Sequence, residues 1–140
     1  MKKNILTLII IILGIFVLSG CTTDTGDSTQ DSTMDNSNPT KINAEQAKEM
    51  IDSPTELIIL DVRTKEEYEE GHIEGAILIP DTEIATKAEE LLTDKNATLL
   101  VYCRSGRRSA LASQSLNELG YTSVYDFGGI LDWPYEVVTN

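Results

Sequence analysis

Two uninterrupted apolar runs, Leu57-Ile58-Ile59-Leu60 and Thr98-Leu99-Leu100-Val101-Tyr102, constrain this chain most. Runs that short and that continuous fit strands covered on both faces, because a strand with one wet face would alternate apolar and polar residues. Segments with helical periodicity separate them. Asn43 followed by Gln46, and Thr64 followed by Glu67, are capping boxes that open two helices. Ala44, Ala47, Met50 and Ile51 share one face of the first. The second ends near Gly71. Ala76-Ile77-Leu78-Ile79 is a third apolar run, stopped by Pro80. Ile84, Ala88, Leu91 and Leu92 recur at helical spacing. Ala110 to Leu119 reads as another helix, with Leu111, Ala112, Leu116 and Leu119 inward and Gly120 as its stop. Ile42 is read as opening a short edge strand and Ser123-Val124-Tyr125 as the last strand. This alternation predicts an α/β domain whose mostly parallel sheet lies between two helical layers. Such sheets bind ligands at the carboxyl ends of their strands.

That domain is expected to occupy residues 41–140. Residues 1–20 read as an address. Met1-Lys2-Lys3 is cationic, and Ile5 to Leu18 is aliphatic apart from Thr7 and Gly14. Fourteen helical residues span about 21 Å, short of the ~30 Å hydrocarbon core, which favours a signal peptide over a spanning helix. Leu18-Ser19-Gly20-Cys21 resembles the lipobox of bacterial lipoproteins. That resemblance implies diacylglycerol on the Cys21 sulfur, cleavage before Cys21 and an extracytoplasmic, membrane-anchored protein. Residues 21–40 read as a disordered acidic tether. Asp24, Asp27, Asp31 and Asp35 lie there among Ser, Thr, Asn and Gln, with Met34 the only large apolar side chain.

Charge and cysteine usage exclude other classes. The 140 residues carry 11 Lys+Arg against 23 Asp+Glu, a net charge of −12. Removing Lys2 and Lys3 with the leader makes the balance 9 against 23. A polyanion needs a basic face, so no nucleic-acid partner is expected. Two cysteines and one histidine cannot build a Cys/His zinc cluster or a framework of disulfides, so no metal is expected.

Against that acidic background, three of the nine remaining basic residues fall within Cys103-Arg104-Ser105-Gly106-Arg107-Arg108-Ser109. The segment joins a buried strand to a helix. A cysteine there faces unpaired backbone N–H groups and the positive end of a helix dipole, and a tight loop can turn successive amides inward as an anion nest. Both favour the thiolate, so Cys103 is predicted to titrate below the usual ~8.5, at about 7 or lower. Arg104, Arg107 and Arg108 push the same way and attract an anion. Ser105 and Ser109 are candidate hydrogen-bond donors to it. Asp61 and Arg63 follow the first strong strand. Asp61 is expected to pair with Arg108, the competing reading being a helix-capping aspartate and a surface arginine. His72, at a turn into a strand, reads as structural, and Trp133 as a core anchor.

Four motifs in order, Leu60-Asp61-Val62-Arg63, Gly71-His72-Ile73-Glu74-Gly75-Ala76, the Cys103 loop and Gly128-Gly129-Ile130-Leu131-Asp132-Trp133, resemble the rhodanese domain family over residues 41–135. The resemblance implies a parallel five-stranded sheet with helices on both faces, and a persulfide on Cys103. It implies a sulfurtransferase that takes sulfane sulfur from a donor such as thiosulfate, releases sulfite, and passes the sulfur to cyanide or a thiol. No cofactor is needed, and no general base, since a thiolate attacks directly. The alternative is a non-catalytic persulfide carrier or partner-binding module. Related phosphatases place arginine one position later, where this chain has Ser109, so the loop has the shorter rhodanese length. An extracytoplasmic thiol also raises the prospect of a thiol reductant as partner.

Overall fold

A computed structural model describes residues 38–139. Five strands, β1 (Thr40–Lys41), β2 (Ile58–Asp61), β3 (Ile77–Leu78), β4 (Thr98–Cys103) and β5 (Ser123–Gly129), form one sheet in the order β1-β5-β4-β2-β3. Every pairing is parallel. The signal peptide, Cys21 and most of the tether lie outside the described residues.

Both faces of the sheet are covered, as the continuous apolar runs require. On one side Leu60, Leu99 and Val101 meet Ile84, Ala88 and Leu92 of the α3 region (Ile84–Leu91) and Ala112 and Leu116 of α4 (Arg107–Glu118). On the other, Ile59, Leu100, Tyr102 and Phe127 meet Ala47 of α1 (Ala44–Asp52) and Trp133, with Tyr68 of α2 (Lys65–Glu70) packed alongside. Alternate residues of β2 and β4 therefore serve opposite layers. Trp133 is buried as an anchor, and its ring lies against Phe127.

Local signals fix several ends. In the Asn43–Gln46 and Thr64–Glu67 capping boxes, each cap side chain accepts from the third helical amide. Gln46 and Glu67 accept in return from the amides of Asn43 and Thr64. The edge strand lies just before Ile42, whose amide still donates to the Asp126 carbonyl.

Three expectations are corrected. Leu111 and Leu91 are exposed, at 56% and 50%. The face α4 turns inward carries Ser109, Ala112, Ser113 and Leu116, so two serines hold positions that an apolar count assigns to leucine. The same helix starts at Arg107, three residues before the first apolar residue of its pattern. β5 runs through Asp126 and both glycines to Gly129, well past Tyr125.

Candidate active site

β4 ends at Cys103 in the middle of the sheet, and α4 begins four residues later. Gly106 makes the reversal between them, with φ of +95°, a left-handed conformation that costs a side chain-bearing residue energy. The turn carries the Gly106 amide to 3.1 Å from the Cys103 sulfur, to which it donates. The thiol is buried and is the free cysteine of the described residues. Burial alone pushes its pKa up. Hydrogen bonds from the Ser109 amide and hydroxyl and from the Gly106 and Ser105 amides outweigh that, and the net shift is downward. Of these amides that of Gly106 is the one in hydrogen-bond contact with the sulfur, with the first turn of α4 beside it.

Ser109 is fully buried, and its hydroxyl faces three acceptors. It lies 3.0 Å from the Gly106 carbonyl, 3.1 Å from the Gly128 carbonyl and 3.7 Å from the Cys103 sulfur. One hydroxyl carries one proton. With a neutral thiol, S–H donates to Ser109 Oγ and the hydroxyl satisfies a carbonyl. With a thiolate, rotation of the hydroxyl points that proton at sulfur.

The end of β5 holds the loop from beneath. Cys103 pairs with Gly129, and the Leu131 amide donates to the Arg104 carbonyl at 3.2 Å. A Cβ on Gly129 would sit 2.3 Å from the Arg104 carbonyl oxygen and 2.6 Å from Ser105 Cα. Both neighbours are backbone, so only glycine fits under the loop. Gly128 next to it has φ of +91°.

The basic residues divide into two kinds. Arg108 makes two hydrogen bonds to the Glu67 carboxylate, at 2.7 and 2.8 Å. The expected Asp61–Arg108 pair is not formed. Asp61 instead binds its near neighbour Arg63, whose Nε and Nη2 reach the carboxylate at 2.6–3.0 Å while Nη2 also donates to the Gly71 carbonyl at 2.7 Å. A carboxylate closing a two-residue turn reaches Arg63 at far less entropic cost than the start of α4. Both members of that pair are buried, and they tie β2 to the end of α2. Arg104 and Arg107 are exposed. Among the described residues, Lys41, Lys48, Arg63, Lys65, Lys87, Lys95 and Arg108 are all in ion pairs. The two basic side chains left without one are Arg104 and Arg107, on either side of Ser105 and Gly106.

Cys103, Ser105, Gly106 and Ser109 lie together at the end of β4 and the start of α4. Sequence reasoning missed Glu67 as the partner of Arg108, because Glu67 already had a use as a capping residue and lies 41 positions away. His72 is buried and structural. Its ring stacks on Tyr68, its Nδ1 meets the Tyr68 carbonyl at 2.9 Å, and its backbone pairs with Val138.

Comparison with known proteins agrees with this geometry. The chain is 44% identical over 73 residues to thiosulfate sulfurtransferase PspE of Escherichia coli (strain K12), a match covering 52% of this chain and 70% of that one. A rhodanese with anions from E. coli superposes with a TM-score of 0.57 at 39% identity, over 61% of this chain and all of the other. A rhodanese-like domain protein from Staphylococcus aureus gives a TM-score of 0.63 at 30% identity, over 72% and 98%. Residues 43–135 match the family described as the rhodanese-like domain, well over half of the chain, and the protein belongs to that family.

Proposed function

We propose that this protein is a sulfurtransferase that carries sulfane sulfur as a persulfide on Cys103, with thiosulfate as a donor it accepts. The observation that carries the reading is the set of amides and the Ser109 hydroxyl directed at one buried sulfur, which lowers its pKa despite burial. Donors that stabilise a thiolate also stabilise the negative terminal sulfur of a persulfide.

In the first step the Cys103 thiolate attacks the outer sulfur of thiosulfate. The Cys103–sulfur bond forms, the sulfur–sulfur bond of the donor breaks, and its electron pair leaves with sulfite. In the second, cyanide or a thiolate attacks the terminal sulfur of the persulfide, and the electron pair of the breaking S–S bond returns to Cys103. No proton has to be removed from the nucleophile. Arg104 and Arg107 supply charge for an anion at the loop mouth, Ser105 and Gly106 supply backbone donors, and Ser109 supplies a hydroxyl proton. Arg108 shapes the loop through Glu67. Asp61 and Arg63 brace α2 behind it.

Location is part of the proposal. The cationic start, the aliphatic stretch and Leu18-Ser19-Gly20-Cys21 support a lipid anchor on Cys21, and residues 21–40 then hold the domain off an outer membrane surface. An outward-facing persulfide or thiolate also fits a thiol reductant as partner. Intact mass with and without thiosulfate tests both parts: lipid on Cys21, and one added sulfur atom lost in Cys103→Ser. Steady thiocyanate formation from thiosulfate and cyanide is expected, with ping-pong kinetics. Thiocyanate formation surviving in Cys103→Ser would refute the assigned nucleophile. A single discharge without recycling would favour the carrier.

A further inference from the structure

A groove of about 460 Å³ opens beside Arg104, lined by Arg63, Glu67, Glu70, Arg104, Ile130 and Leu131. A water occupies about 30 Å³, so this space holds some fifteen waters, far more than an inorganic oxyanion fills and within the range of organic-ligand pockets. Its charges are unequally used. Arg63 and Glu67 are spent on Asp61 and Arg108. Arg104 and Glu70, of opposite sign, line the same groove, and among the described residues neither makes an ion pair. Ile130 and Leu131 complete the lining. Leu131 is 66% exposed, yet its amide is fixed to the Arg104 carbonyl. Leu131 thus offers apolar surface beside a cation that has no partner of its own.

We infer that this groove recognises the sulfur acceptor, and that the acceptor is a low-molecular-weight zwitterionic thiol of the amino-acid type. Its carboxylate pairs with Arg104, its ammonium with Glu70, and its aliphatic part lies on Ile130 and Leu131. The inference rests on the sulfurtransferase reading and adds the acceptor's class. Arg104 adjoins Cys103 in the chain, so the groove it lines lies beside the loop that carries the sulfur. The acceptor thiolate attacks the terminal sulfur of the Cys103 persulfide, a new S–S bond forms on the acceptor, and the electron pair of the broken bond restores the Cys103 thiolate. No other reactant is consumed. 2-Mercaptoethanol, a thiol with neither a carboxylate nor an ammonium, reports the sulfur chemistry alone.

The test uses the full chain, first loaded with sulfur by thiosulfate and freed of excess donor. Discharge is then timed with cysteine, N-acetylcysteine, which lacks the ammonium, and cysteamine, which lacks the carboxylate. Each second-order constant is divided by that for 2-mercaptoethanol with the same variant. Arg104→Gln should lower the ratios for cysteine and N-acetylcysteine about threefold to fivefold and spare cysteamine. Glu70→Gln should lower those for cysteine and cysteamine by a similar factor and spare N-acetylcysteine. Such factors are the size expected of single, partly exposed charge pairs. Variants that shift all three thiols alike, or none, would overturn the inference while leaving the sulfurtransferase reading intact. If thiosulfate loads no sulfur, that reading fails instead. The groove is then judged by titrating the unloaded protein with S-methylcysteine and following the amide signals of Glu70, Arg104 and Leu131. Shifts that weaken in both variants uphold the recognition site, and their absence overturns it.

Discussion

Glu67→Gln separates the charge of one side chain from its shape. Glu67 has two jobs: it accepts from the Thr64 amide as the third residue of the capping box, and it holds Arg108 by two hydrogen bonds. Glutamine keeps an oxygen for the cap and loses the charge. The Arg108 guanidinium, foremost, holds the Glu67 carboxyl down from its ordinary 4.5 to about 2. At 1.36 kcal/mol per unit that is a ceiling of about 3 kcal/mol. The side chains are 23% and 22% exposed, so solvent screening reduces the expected loss to about 1–2 kcal/mol. A depressed carboxylate pKa contributes stability that is fully present above the unfolded value and lost as pH falls through the folded one. The difference between wild type and Glu67→Gln should therefore be constant from pH 7 to pH 5. It should shrink to less than about half by pH 3, where linkage leaves only a fraction of the charge term. Urea unfolding of both proteins at the three pH values measures it. A difference that persists undiminished at pH 3 would show that packing or capping, rather than charge, is what Glu67 supplies. No difference at pH 7 would show that the pair is energetically idle.

Three further outcomes follow from the loop. Gly129→Ala drives a methyl group into the Arg104 carbonyl, and the resulting overpacking should cost about 1–3 kcal/mol by chemical unfolding and slow persulfide formation more than tenfold; a variant as stable and active as wild type would disprove the close approach. Ser109→Ala removes a donor to the sulfur, so the pH midpoint of Cys103 alkylation should rise toward the ordinary thiol value; an unmoved midpoint would assign the lowering to the amides alone. In wild type that midpoint should lie below the ~8.5 of a free cysteine, so at pH 8 alkylation should stand at a larger fraction of its plateau than that of a free cysteine; a midpoint of 9 or above would remove the physical basis of the mechanism.

What could be read from the sequence was whatever is local. Capping boxes span four residues and were legible at Asn43 and Thr64. The continuous runs of β2 and β4 announced a two-sided sheet because burial on both faces leaves no room for alternation. The anion nest at Cys103 was legible because strand end, glycine and helix start are contiguous. The failures share one cause, long-range geometry. Nothing within the sequence near Arg108 indicates that it turns toward α2, and nothing near Glu67 says that a capping residue has a second partner. Leu111 is apolar yet faces outward, because the inward face of α4 carries Ser109 and Ser113, small side chains that let the helix sit close to the sheet. The glycine under the loop stood within a quoted motif, but its reason, contact with Arg104 and Ser105 some 25 positions earlier, appears only in three dimensions.

The support that β5 gives the loop has a consequence for biogenesis. The amide ring sits on Gly129 and is pinned by Leu131, so it cannot take shape until the last strand has docked beside β4. Until then the chain carries an ordinary, largely protonated cysteine, and the reactive form arises only with the final pairing of the sheet. Sulfur chemistry is thereby coupled to completion of folding, and an immature polypeptide is spared premature oxidation.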